Sequence, residues 1–79
     1  MKRGIIIAVT LIAVAIAVYI MMRPRLAEKA YLEGNTLTDS SLFEQALVKY
    51  NKAINLNGKV AEYYNARGFV QSALDKDSL

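Results

Sequence analysis

Ala27-Glu28-Lys29-Ala30-Tyr31-Leu32-Glu33-Gly34 returns 34 residues later as Ala61-Glu62-Tyr63-Tyr64-Asn65-Ala66-Arg67-Gly68, with Ala27, Glu28 and Gly34 repeated as Ala61, Glu62 and Gly68. A fixed period of that length marks a stacked helix–turn–helix repeat, in which one unit buries its apolar face against the next. Between the two copies lie Leu42, Phe43, Ala46, Leu47, Tyr50, Ala53, Ile54 and Leu56, spaced so that one face of a helix carries them all. The stretch from Ala27 to Lys59 therefore reads as a helical hairpin, and Val60 to about Leu74 as the first helix of a second unit.

The residues that set this pattern resemble the tetratricopeptide repeat (TPR) family. The small residue of the first helix, where two helices approach closely, falls on Gly34 and again on Gly68. The family's alanine–aromatic–alanine series in the second helix falls on Ala46, Tyr50 and Ala53, and its opening aromatic on Phe43. The large aromatic early in the first helix is present as Tyr64 in the second copy and replaced by Ala30 in the first. Two positions depart from the pattern. Glu33 and Arg67 stand where the family has leucine, and Gly58 stands where a proline closes the unit. Glycine can end a helix by taking the left-handed conformation just past it, so the turn is expected to survive that exchange. The resemblance covers the chain from about residue 26 onward and implies an all-α solenoid fragment whose role is to bind other proteins.

Upstream, Gly4 to Met22 carries no charged residue, and only Thr10 and Tyr19 offer polar side-chain atoms. As a helix it is about 28 Å long, against a hydrocarbon layer of about 30 Å. A domain this small cannot surround an all-apolar helix, and of the remaining readings, a cleaved signal peptide or a transmembrane anchor, the expected one is an uncleaved anchor. Lys2 and Arg3 flank it on one side and Arg23 and Arg25 on the other, with Tyr19 at the depth of an interfacial aromatic. The near-balanced basic flanks favour the carboxyl-terminal domain outside the cytoplasm only slightly. Pro24 removes a backbone N–H and restricts Arg23, which predicts a kink or break there. The expected organisation is an anchor over 1–23, a kink or linker over 24–26, a hairpin over 27–60, and a further helix with a frayed tail over 61–79. At the hairpin's turn, Ser41 with Glu44 matches a capping box for the second helix.

Composition narrows the function. The net charge of +3 comes from the anchor's flanks, because from residue 26 onward six Lys or Arg face seven Asp or Glu. That leaves no basic face for nucleic acid. The chain has no cysteine and no histidine, no glycine-rich phosphate loop, and no nucleophile beside a base. Glu28 and Glu33 are five residues apart and fall on different faces of a helix. Neither catalysis, a metal, a cofactor nor a small-molecule substrate is expected. A clamp for peptide carboxyl ends, found in some family members, is not matched: Asn35 and Asn65 are in place, but Tyr31 occupies a position where that clamp has lysine.

What remains is contact with protein. The third helix carries Tyr63, Tyr64, Phe69, Val70 and Leu74, more large groups than one hairpin is expected to cover, so these five form the candidate partner-binding face. The expected function is a membrane-anchored interaction module, a small accessory subunit or assembly factor of a larger membrane complex. Its expected contacts are the bilayer and either a protein partner or a second copy. The alternative is a pilin-like filament subunit. Lys2-Arg3-Gly4 before an apolar run suggests it, and Val9, where such proteins carry glutamate, speaks against it.

Overall fold

The computed structural model describes the backbone of residues 2–78 and the side chains of residues 2–76. The described residues form three helices, α1 (Lys2–Asp39), α2 (Phe43–Leu56) and α3 (Ala61–Ser78), and no strand. The molecule measures 65 × 19 × 17 Å. Its length comes from α1, whose first part projects bare from a three-helix cluster.

The expected break at Pro24 is absent: α1 continues through it. Proline removes one N–H, the donor that would reach the Ile20 carbonyl, at a typical cost of about 3 kcal/mol inside a helix. The hairpin offsets that loss by holding both sides of the junction. Arg23 donates from Nη2 to the Asn55 carbonyl at 3.1 Å, near the end of α2. Ala27, one turn beyond the proline, is fully buried. The apolar stretch and the first repeat helix are therefore one helix, with no linker helix end between them.

α1 runs two residues beyond the expected end at Leu37, and its closure corrects the capping expectation. Leu42 N–H donates to the Leu37 carbonyl and Ser41 N–H to that of Thr38, both at 2.9 Å. This pair of bonds is a Schellman motif, which requires a left-handed residue at Ser41's position. Ser41 has φ 59°. It is therefore the C-terminal closure of α1, and Leu42 is the residue preceding α2, with no side-chain cap. Glu44 keeps only its favourable place in the first turn of α2.

α2 meets α1 through small residues. Ala46 and Ala53 are fully buried, and Tyr50 between them is 1% exposed. A Cβ added to Gly34 would lie 2.5 Å from Cε1 and 2.7 Å from Cδ1 of Tyr50, so the glycine is what lets that ring in. The Tyr50 hydroxyl donates to Asn35 Oδ1 at 2.6 Å and lies 3.0 Å from Thr38 Oγ1. Thr38 Oγ1 is also 2.9 Å from the Gly34 carbonyl. Each hydroxyl has one hydrogen, so Tyr50's goes to Asn35 and Thr38's is shared between its two acceptors.

α2 ends at Asn57, which is extended (φ −153°, ψ 90°) and donates back to the Ala53 carbonyl. Gly58 does not adopt the expected left-handed conformation, and no described glycine has positive φ. Its small size serves a close contact instead. The Tyr64 hydroxyl donates to the Gly58 carbonyl at 2.9 Å, and an added Cβ would stand 3.2 Å from that hydroxyl oxygen. α3 continues past the expected Leu74 to Ser78, so the tail expected to fray is helical as far as it is described. Leu79 and Met1 lie outside the described residues.

The core has two parts. Ala27, Ala30, Ala53 and Tyr63 form one, nearer the apolar stretch, and Ala46, Tyr50 and Val70 form the other. Tyr31 packs against both, its ring centroid 4.9 Å from that of Tyr63 and 5.9 Å from that of Tyr50. Ala30 leaves room where the repeat pattern has a large ring, and Tyr31, one residue on, supplies an aromatic that reaches α3.

Candidate interaction face

Successive helical residues are 100° apart, and this divides the five aromatic and aliphatic residues of α3 between two sides. Tyr63 is 2% exposed and Val70 is 0% exposed. Leu74 is half-buried against the Tyr50 cluster. These three face α2 and are corrected here from candidate partner residues to core. The sequence expectation undercounted the surface that α1 and α2 jointly offer, because Tyr31 adds a wall between them.

Tyr63 also holds α3 to α1. Its hydroxyl donates to Glu28 Oε2 at a long 3.4 Å. Burial, reinforced by the Glu28 carboxylate, pushes its phenol above the ordinary tyrosine range.

Tyr64 and Phe69 remain outside. Tyr64 is half tied down, by its bond to Gly58 and by the Arg67 guanidinium 5.3 Å from its ring centroid. Arg67 also donates to Asn51 Oδ1 on α2 at 3.3 Å, so the residue standing where the family has leucine links two helices through polar atoms. Phe69 has no such partner and is 62% exposed. Between them on the helix is Gly68, with nothing within 4 Å of where its Cβ would be.

The two glycines of the repeat thus differ in state. Gly34 is filled by an aromatic ring and Gly68 is bare. Ala61, Asn65 and Ser72 share the outer side of α3 with Gly68 and are exposed. The outer side is therefore a strip of small residues edged by Tyr64 and Phe69, a shape that admits a close-packing helix.

The other candidate residues fall as follows. Phe43 is half-buried against the second core cluster. Lys2, Arg3, Tyr19 and Arg25 are exposed, and Arg23 is half-buried. The Arg23 guanidinium lies 6.0 Å from the Tyr19 ring centroid. From Lys2 to Met22 no described side chain is buried, and α1 is long and apolar enough there to cross a membrane.

Asn35 Oδ1 accepts the hydrogen bond from the Tyr50 hydroxyl, which ties its side chain to α2. Among the described residues, no three carboxylates or other metal-binding side chains come together. Sequence reasoning missed the Lys49–Glu33 ion pair, 3.0 Å across the hairpin. Lys49 holds the Glu33 carboxyl below its ordinary range, chiefly through that hydrogen bond. Its signal was that Lys49 precedes Tyr50 and Glu33 precedes Gly34, two residues already placed face to face.

A protein-family model described as a TPR repeat matches residues 34–75, just over half of the chain. No curated protein matches the chain, and no solved structure does.

Proposed function

The chain belongs to the tetratricopeptide repeat family, and from that membership we propose that it works as a membrane-anchored protein–protein interaction module, a small accessory subunit or assembly factor of a larger membrane complex. Repeats of this family generally mediate contacts between proteins. The observation that carries the finer reading is the bare Gly68 strip. Its counterpart 34 residues earlier receives the Tyr50 ring, so the outer side of α3 has the shape that, on α1, takes a helix with an aromatic knob. In this reading a partner's helix fills it, with Phe69 as the main contact of this chain, since large rigid side chains dominate such interfaces. The apolar part of α1 spans the bilayer, and the repeat lies on the non-cytoplasmic side.

The test is co-purification of the full-length chain from membranes in mild detergent. Replacing Phe69 by Asp removes the co-purifying subunit while the chain stays in the membrane fraction. Undiminished co-purification overturns the assignment of this face. Protease protection in sealed vesicles checks the sidedness: the repeat is digested only from the non-cytoplasmic side.

A further inference from the structure

At the end of the three-helix cluster that adjoins the apolar stretch, basic residues outnumber acidic ones. Arg23 bonds to Asn55, which places the last turn of α2 beside the point where α1 leaves its apolar stretch. Arg23, Arg25, Lys29, Lys52 and Lys59 all belong to this end, with Glu28 and Glu62 as its acids. Glu28 accepts the bond from Tyr63. Asp39, Glu44, Asp75 and Lys76 lie toward the other end of the hairpin. The end that faces the bilayer in the proposed arrangement is therefore the positive one.

A cleft of about 180 Å³ opens between α1 and α2 at this end, lined by Tyr19, Leu26, Lys29, Glu33, Lys52 and Leu56, with Ala30 at its buried side. Its lining is graded. Tyr19 belongs to the apolar stretch itself, Leu26 and Leu56 come next, and the two lysines lie further along the hairpin. Side chains on a helix lean toward its N-terminus, so Lys29 on α1 leans back toward the apolar end, while Lys52 on the antiparallel α2 leans away from it. The one acid in the lining, Glu33, is paired with Lys49 at 3.0 Å and is also drawn on by the charges of Lys29 and Lys52. Beside the cleft, the Arg23 guanidinium stands 6.0 Å from the Tyr19 ring, and its Nε is a buried donor without a partner.

We propose that this cleft binds the phosphate of an anionic phospholipid between Lys29 and Lys52, with Leu26, Leu56 and the Tyr19 ring against the glycerol and upper acyl carbons. The proposal rests on the anchor reading above. It adds a lipid-selective site to a helix that would otherwise only span. Basic side chains at this depth attract anionic lipid by about a fivefold factor each.

Full-length protein is reconstituted in nanodiscs of phosphatidylcholine mixed with phosphatidylglycerol, and the lipids that remain bound after delipidation are identified by native mass spectrometry. The wild type retains phosphatidylglycerol in preference to phosphatidylcholine. Lys29→Gln and Lys52→Gln each lower that preference well beyond the roughly fivefold factor that any basic side chain near the surface contributes, while Arg25→Gln, an exposed cation outside the cleft, lowers it by no more than that factor. An equal loss in Arg25→Gln means general surface attraction and overturns the site. So does wild-type protein that retains no phosphatidylglycerol preferentially. Inorganic phosphate that raises the melting temperature in phosphatidylcholine discs as much as phosphatidylglycerol does would overturn the lipid as occupant. Vesicle flotation of the wild type separates the two readings: protein that floats without lipid preference defeats the cleft alone, and protein that does not float defeats the anchor and the cleft together.

Discussion

Gly34 and Gly68 occupy the same place in the repeat and do opposite things. At Gly34 even a methyl group would meet the Tyr50 ring at 2.5 Å, so Gly34→Ala is expected to destabilise the hairpin by about 1–3 kcal/mol through overpacking. Gly68→Ala meets nothing and should stabilise α3 by up to about 1 kcal/mol through helix propensity alone. Thermal melts of the full-length chain in detergent check both signs. Ser41 offers a third test. It holds a left-handed conformation that costs a residue with a Cβ about 1–2 kcal/mol, so Ser41→Gly should raise the melting temperature. A fall would mean that the serine hydroxyl contributes to the turn.

Tyr63 gives a pH dependence. Its phenol is held above the ordinary value of 10.0 in the folded chain, so its contribution is fully present below pH 10 and declines as pH rises beyond it. In Tyr63→Phe the loss of stability above pH 10 should be shallower than in the wild type, read by circular dichroism along an alkaline titration.

Residues that pack by size were legible from sequence: Gly34, Ala46, Tyr50 and Ala53 announce a close crossing whatever surrounds them. Ser41 was not, because Ser-x-x-Glu matches a cap equally well. What decides between cap and closure is the carbonyls of Leu37 and Thr38, which depend on how far α1 runs. Tyr63 and Tyr64 were not separable either. They are neighbours 100° apart, and the rotation of α3 that buries one and exposes the other is set by Tyr31 on a different helix.

Among the elements, α1 departs furthest from expectation, since one helix serves both the apolar stretch and the first half of the hairpin. Proline predicts an end on local grounds, and Arg23–Asn55 and the burial of Ala27 outweigh it through contacts distant in sequence. Sequence reading found the apolar length, the hairpin and the third helix, because periodicity and composition are local properties. It placed the boundaries at Leu37 and Leu74 too early, because helix ends depend on closure bonds and on packing. The proposed spanning role of α1 has its own test. Ala13→Arg, mid-way along the apolar stretch, should cost about 2.5–3.5 kcal/mol of insertion free energy and release much of the protein on carbonate extraction. Full retention of the variant would mean that the stretch lies against protein rather than lipid, as in a bundle of identical helices.

At the scale of the whole molecule, three features are arranged along one rod: an apolar projection, a basic end, and a three-helix cluster with one side of α3 uncovered. Each apolar surface inside the cluster is matched by another, from Gly34 under Tyr50 to Tyr31 between Tyr50 and Tyr63. The outer side of α3 is the place where the repeat's packing device is present without its counterpart. The proposed interaction function therefore turns on that side. The most direct measurement is site-specific photocrosslinking in native membranes, with a benzophenone side chain in place of Phe69 and, as control, of Val48, which is equally exposed on α2. One discrete adduct is expected from position 69 and none from position 48. Equal adducts at both positions, or none at 69, would contradict the proposed interaction function.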